Sequence, residues 1–391
     1  MPDRPRVLFM AAQPFFQWRG SPIRVGFNVQ ALAELGFDVD FLTLPVGEDR
    51  AIPGVRVLRV ANPLGVQNIP IGPSAHKALF NLLILFKALP LAFRRRYAVI
   101  HAVEETGLIG WLVARLTGAK VIFEKHSDPA SHKDKPLKNA VLACYRQVEH
   151  LAIRAADAVI ATGEGLVAQA RAVAPQKPIH YISDIPSSLV EATPEGTRAV
   201  RARLQQAPDE VLILYVGSFA VYQGLDLMFD AMPAVAARCP AARFLIIGGT
   251  EAEIVARKDW LRARGIEDRV RFLGRIPPDA LPDHLAAADL LLSPRLSGIN
   301  TPLKLLDYLK VARPIVATDN TANRQILDES CAVLTAATPA AFADGIAQLV
   351  EQSARRAELG GNGRRLIDEK YNFGEFKRRL QACYRGLGAI P

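Results

Sequence analysis

Four short segments combine glycine with polar side chains in patterns that suit an anion or a developing negative charge. In the first, Gln13-Pro-Phe-Phe-Gln-Trp-Arg-Gly-Ser-Pro-Ile-Arg24, Gly20 and Ser21 open a helical pattern. Free backbone N–H groups and the helix dipole favour an anion there. Ser21 followed by Pro22 also makes an ordinary helix cap, and the two roles are compatible. The second, Glu124-Lys-His-Ser-Asp128, puts His126 just beyond a strand pattern, while His101 ends the preceding strand ahead of Glu104 and Glu105. These side chains either contact a substrate or are plain polar loop residues. No two of them share a helical face at metal-ligand spacing, so no metal site is expected. The third, Val216-Gly-Ser-Phe-Ala-Val-Tyr-Gln-Gly-Leu-Asp226, turns at Gly217, carries Ser218 and reaches Gly224 before a helix. It fits neither G-x-G-x-x-G nor G-K-[ST], which weakens dinucleotide and P-loop readings. In the fourth, residues 293–308, Gly298, Asn300 and Thr301 lead to a helix at Pro302, with Lys304 and Asp307 three apart on one face. That pair is either a surface ion pair or, with the open amides, a site for a diphosphate and a ribose diol.

The elements that must carry these segments alternate between short apolar runs and helical periods, the pattern of an α/β protein with parallel sheets. Strands are expected at residues 6–11, 39–44, 55–60, 98–102, 120–124 and 158–161, with helices at 21–35 and 76–93. A stretch rich in proline and serine then marks a linker near residues 184–193. Strands resume at 211–216, 242–248, 270–273, 290–293 and 315–318, with a helix at 225–238. The expected architecture is two Rossmann-like, doubly wound domains facing each other across a cleft, divided as residues 1–186 and 187–372. Doubly wound sheets bind ligands beyond the carboxyl ends of their strands, where all four segments fall.

The chain has 391 residues, half of them hydrophobic and 22% charged, too many for one ordinary core and too apolar for long disorder. Four widely separated cysteines (Cys144, Cys239, Cys331, Cys383) exclude a thiolate zinc site and a disulfide scaffold, and suit a reducing compartment. The opening residues lack the pattern of a signal peptide, and no uninterrupted apolar run is long enough to span a membrane. The formal net charge is +9, of which residues 1–190 hold +7, and no acid occurs from Arg50 to Val103. Such an excess points to an anionic partner: nucleic acid, a membrane or a phosphorylated ligand. No recognition motif and no basic stripe interleaved with aromatics supports nucleic acid.

The stretches 217–231 and 294–319 carry a family resemblance. Leu306-Asp-Tyr-Leu with Arg313-Pro-Ile-Val-Ala-Thr318 resembles the K-L-x-E-Y-x…G-K-P-I-V-A-T stretch of bacterial family-4 glycosyltransferases, and the whole chain is similar to that family. Residues 14–23, 45–49 and 71–73 resemble one subgroup of it. The resemblance implies the GT-B fold, with a last helix in residues 373–391 that packs back on the first domain. It also implies a retaining, metal-independent transfer with no cofactor, from a nucleotide-sugar donor of UDP or GDP type. Gly20 and Ser21 would face the diphosphate or the reacting centre, and His126 the transferred sugar. Gly217 and Ser218 would sit by the diphosphate, Arg275 and Ile276 beside the nucleobase, and Asp307 on the ribose hydroxyls. The family's usual arginine and lysine stand here as Ser218 and Gln223, and its first acid of E-x7-E as Ile299. Lys304 and Arg295, with the amides of Asn300, Thr301 and Leu303, are the expected replacements for those cations.

The apolar segment 76–97 carries Lys77 and Lys87 and ends in Arg94, Arg95 and Arg96. It is either a buried helix ending in a charged turn or an interfacial helix on an anionic membrane, to which Lys133, Lys135 and Lys138 would add. The expected function is sugar transfer to a lipid-linked or polysaccharide acceptor by a cytoplasmic protein, peripheral on the inner face of the cytoplasmic membrane. The alternatives are a nucleotide-sugar epimerase of the same fold and a catalytically weakened nucleotide-sugar-binding protein.

Overall fold

The structure, a computed structural model, describes residues 4–17, 20–69, 75–128, 136–204, 207–298 and 301–390. It divides into two units, Met1–Asp184 with Phe373–Pro391, and Ile185–Asn372. The first unit begins with β1 (Arg6–Ala11), α1 (Gly20–Glu34), β2 (Asp38–Thr43), β3 (Val55–Arg59), α2 (Ala75–Arg95) and β4 (Val99–Val103). It continues through α3 (Gly107–Thr117), β5 (Lys120–Lys125), α4 (Pro136–Ala155), β6 (Ala158–Ala161), α5 (Glu164–Val173) and β7 (Ile179–Tyr181). The seven strands are parallel in the order β3-β2-β1-β4-β5-β6-β7. Apolar strands such as β1 and β4 suit this sheet because helices cover both of its faces. Strand order reverses between β1 and β4, the place where a crevice opens at the carboxyl edge.

Helix α2 shows how the sequence pattern resolves. Phe80, Ile84, Ala88 and Ala92 recur every fourth residue and are buried in the core with Leu8, Ile100 and Val113. By length and composition α2 is long enough to cross a membrane, yet this stripe fixes it to the sheet. The opposite face leaves Leu82, Phe86 and Phe93 48, 63 and 58% exposed. Two of its cations are not free for an outside partner. Lys77 pairs with Glu105 at 2.8 Å, and Arg95 pairs with Asp38 at 2.6 Å and Asp40 at 3.1 Å. Lys87 is exposed but donates to the Arg59 carbonyl at 2.5 Å. Arg94 and Arg96 are exposed. Lys133 and Lys135 lie outside the described residues, as does the side chain of Lys138.

The second unit contains α6 (Pro194–Arg203), β8 (Val211–Val216), α7 (Leu225–Arg238), β9 (Ala242–Ile247), α8 (Glu251–Arg262), β10 (Val270–Gly274) and α9 (Leu281–Ala287). It closes with β11 (Leu290–Ser293), α10 (Leu303–Lys310), β12 (Ile315–Thr318), β13 (Ala332–Thr335), α11 (Pro339–Glu351) and α12 (Ser353–Lys370). Its parallel sheet runs β10-β9-β8-β11-β12-β13, reversing between β8 and β11. One core cluster gathers Tyr215, Phe229, Phe244 and Phe342, and a second gathers Leu214, Leu245, Leu291 and Tyr308.

The last helix, α13 (Phe373–Gly386), belongs to the first unit. Its Phe376, Leu380, Cys383 and Tyr384 form a buried helical stripe. The Tyr384 ring lies 5.1 Å from Phe37, and Lys377 pairs with Glu34 of α1 at 2.6 Å.

Candidate functional site

The β8/β11 reversal of the second unit brings together two of the four segments, residues 217–224 and 294–298. Glycines allow the contact. Gly224 is left-handed (φ 71°), and a Cβ there would overlap the Pro294 carbonyl oxygen. Gly298 (φ 122°) leaves the same kind of room for the Arg295 guanidinium. The Leu296 N–H donates to the Tyr222 carbonyl at 2.9 Å and joins the loops.

Lys304, on the first turn of α10, donates from Nζ to Gln223 Oε1 at 2.9 Å and stands 4.4 Å over the Tyr215 ring. Gln223 occupies the position where the resemblance expects a cation, so Lys304 delivers its charge to that place from another helix. Arg295 donates from Nε to the Ser297 carbonyl at 2.8 Å and lies 5.3 Å over the Tyr222 ring. Asn320 Nδ2 holds the Arg295 carbonyl at 2.6 Å, with Thr318 Oγ1 as a second donor. Among the described residues, no carboxylate pairs with either cation. Burial, and then the charge of Arg295, push the Lys304 ammonium down to about 7. Burial also lowers Arg295. Two uncompensated cations, Arg295 buried and Lys304 half-buried, favour a multiply charged anion, which would neutralise both.

The neighbouring positions are ordered as follows. Gly217 (φ 155°) turns the chain off β8, and Tyr215 donates from its hydroxyl to the Ser218 carbonyl at 3.0 Å. Arg275, exposed, and Ile276, half-buried, follow β10 at the same carboxyl edge. The Gly274 carbonyl accepts from Gly248 N–H at 2.6 Å. Thr301 donates to Gln325 Oε1 at 2.8 Å, and Pro302 caps α10. Asn300 and Ile299 lie outside the described residues.

Asp307 has both carboxylate oxygens engaged by one residue. Ser187 donates from its backbone N–H to Oδ1 at 2.7 Å and from its hydroxyl to Oδ2 at 2.8 Å. Both oxygens therefore anchor residues just past the boundary between the units, and a ribose would have to displace Ser187. On the same helix face, Lys310 donates to the carbonyls of Ser188 and Val190 at 2.8 and 2.6 Å. Burial raises the Asp307 carboxyl to about 6. Its folded value lies above the unfolded one, so its titration favours the fold at low pH, and that contribution fades as pH rises through about 6. Asp307→Ala should then lower stability by about 1–3 kcal/mol, the range for losing a partner of buried donors. That corresponds to roughly 2–12 °C in Tm for a unit of this size. Asp307→Asn, which keeps an acceptor for Ser187 N–H, should stay within about 2 °C in a thermal melt. Equal melting of the two variants would show that Asp307 does not anchor the linker.

In the first unit, α1 and the end of β5 unite the other two segments. His126 Nδ1 lies 2.9 Å from Ser21 Oγ, while Gly20 is exposed and has open space where a Cβ would sit. Glu104 adopts φ 48°, a conformation rare for a residue with a side chain, and its carboxylate accepts from His126 N–H at 3.1 Å and Ser127 Oγ at 2.8 Å. The motifs did not single out Arg24 and Asn28. The available signal was their spacing of four on an otherwise apolar helix face, since buried polar groups need partners. Among the described residues, no three His, Cys, Asp or Glu side chains group to hold a metal ion.

Both units are similar to known proteins. Residues 20–184 match the family described as Glycosyl transferase 4-like domain, and residues 210–352 match Glycosyl transferases group 1. D-inositol 3-phosphate glycosyltransferase of Geodermatophilus obscurus is 28% identical over 93% of this chain and 85% of its own. Alpha-D-kanosaminyltransferase of Streptomyces kanamyceticus is 24% identical over 71% of this chain and 73% of its own. Among solved structures, sucrose-phosphate synthase from Thermosynechococcus elongatus superposes with a TM-score of 0.80 at 22% identity, covering 99% of this chain and all of that one. HepE of Anabaena in complex with UDP and glucose gives 0.75 at 14% identity, covering 98% of this chain and all of that one. These likenesses show the GT-B fold.

Proposed function

The chain belongs to the GT4-type glycosyltransferases, and from that premise we propose that it transfers a sugar, with retention and without a metal, from a UDP- or GDP-sugar to a lipid-linked or saccharide acceptor. The observation that carries the donor side is the pair of uncompensated cations, Lys304 and Arg295, at the β8/β11 reversal. Departure of a nucleoside diphosphate develops negative charge, and fixed cations and amides lower the energy of that transition state. Thr301 and Leu303 would supply amides beside Lys304, Gly217 and Ser218 would border the diphosphate, and Arg275 with Ile276 would flank the base. His126 and Ser21 would contact the transferred sugar. A thermal-shift panel of UDP- and GDP-sugars tests the donor reading. One base series should raise Tm through preferential binding to the folded state. A panel in which neither UDP nor GDP shifts Tm would refute it. The anomeric configuration of the product, read by NMR, tests retention.

The acceptor side includes contact with an anionic membrane at the cytoplasmic face. Supporting it are the exposed stripe Leu82, Phe86 and Phe93 of α2 and the neighbouring Lys87, Arg94 and Arg96. The protein should sediment with vesicles containing phosphatidylglycerol and not with phosphatidylcholine alone. The double substitution Phe86→Glu with Phe93→Glu should abolish that binding and leave the core stripe intact. Unchanged sedimentation of this variant would remove α2 as the contact.

A further inference from the structure

Glu124, near the carboxyl end of β5, is fully buried and takes hydrogen bonds from two other elements. From α1, Arg24 donates from Nε to Oε1 at 2.5 Å, and Asn28 Nδ2 lies 3.1 and 2.9 Å from the two oxygens. From β4, His101 Nε2 lies 2.7 Å from Oε2. Arg24 also donates to Asp184, the last residue of the first unit, at 3.0 Å. From α13, the Tyr384 hydroxyl lies 2.9 Å from His101 Nδ1, and Cys383 adjoins it. Burial alone would raise the Glu124 carboxyl, but the Arg24 guanidinium and the bond from His101 hold it well below the usual carboxylate range.

An ionised carboxylate only accepts, which fixes every proton around it. His101, kept neutral by burial, must carry its hydrogen on Nε2, so its bare Nδ1 accepts from the Tyr384 hydroxyl, which burial keeps protonated. Glu124 acts on His126 through its charge: Nε2 stands 3.0 Å from Oε1, outside hydrogen-bond geometry, and a bare lone pair so close to the carboxylate is disfavoured against a hydrogen on that nitrogen. Its Nδ1 faces Ser21 Oγ at 2.9 Å.

We infer that Glu124 is a positioning residue that holds His126 in the Nε2–H tautomer, so that the nitrogen turned toward Ser21 and the substrate is a hydrogen-bond acceptor. A sugar or acceptor hydroxyl meeting His126 must then donate. This inference rests on the reading of His126 as a substrate contact, and its tests separate the two.

The first test needs no variant. Nitrogen-15 NMR of the histidine-labelled full chain at about pH 8, with the His126→Ala spectrum for assignment, should show His126 protonated on Nε2 and bare on Nδ1. The opposite tautomer would overturn the inference, whether or not any substitution of Glu124 folds. The second is a double-mutant cycle in nucleoside diphosphate release, using UDP-glucose and GDP-mannose as probes. Glu124→Gln alone should lower kcat roughly 10²-fold with KM for the donor changed less than about threefold. On the His126→Ala background it should cost less than about threefold, because the residue it acts through is gone. Equal losses on both backgrounds would make Glu124 a structural group only. A His126→Ala protein with wild-type turnover would instead refute the substrate-contact reading, while the NMR result would still decide the tautomer.

Discussion

Lys304→Ala should lower the rate of sugar transfer about 10²–10³-fold, the loss seen when one charge-stabilising group is removed from a developing oxyanion. The fold should tolerate it. Lys304 has no carboxylate partner among the described residues and gives one hydrogen bond, to Gln223. Removing a desolvated cation relieves as much as it costs, so Tm should move by no more than roughly 3 °C. A pH arm sharpens the expectation. Because the free ammonium lies near 7, affinity for the nucleoside diphosphate should be greatest below that value and fall as pH rises through it, binding then requiring proton uptake. In Lys304→Ala the fall between about pH 7 and 8.5 should vanish, since arginine stays charged throughout. Near-wild-type transfer by a folded Lys304→Ala protein would remove Lys304 from the diphosphate site. A pH dependence that survived the substitution would assign it to another group.

The second large effect is expected at Gly224. A valine there meets two obstacles at once. The left-handed backbone costs a side-chain-bearing residue about 1–2 kcal/mol, and the new Cβ overlaps the Pro294 carbonyl, for which overpacking typically costs 1–3 kcal/mol. Together these destabilise the second unit by about 2–5 kcal/mol, or roughly 4–20 °C in Tm at its size. The same collision parts the Leu296–Tyr222 hydrogen bond and carries Gln223 away from Lys304. Binding of the nucleoside diphosphate should therefore be lost even at temperatures where the protein remains folded. Calorimetry and titration with UDP and GDP check both arms. Unchanged melting together with unchanged affinity for whichever of the two the wild type binds would mean that the two loops are not locked at this glycine.

Both effects depend on contacts that have different standing in the sequence. Gly217, Gly224 and Gly298 are visible as turn residues at strand ends, and Lys304 stands out as a cation at a helix start. The bond from Lys304 to Gln223 is not visible, because the two lie 81 residues apart and meet only where β8 and β11 become neighbours. Asp307 shows the opposite case. Its spacing from Lys304 placed it correctly on the α10 face, but its partner proved to be Ser187, 120 residues away. The Glu124 cluster is the least legible part of the site. Arg24, His101 and Tyr384 come from three separate elements, and each alone reads as an ordinary polar residue.

Among the strands, β7 and β13 are not among those expected from the sequence; β7, at three residues, is too short to show a period. The sequence by itself determined the two doubly wound units, the strand ends that carry the polar segments and the surplus of basic charge in the first half. Local periodicity and turn chemistry encode those features within a few neighbouring residues. Only the tertiary structure decided which charges are spent and which remain open. Lys77 and Arg95 are neutralised by acids from other elements, while Lys304 and Arg295 are brought together with no carboxylate partner among the described residues. Charge pairing acts over a few ångströms in space, and distance along the chain does not reveal it.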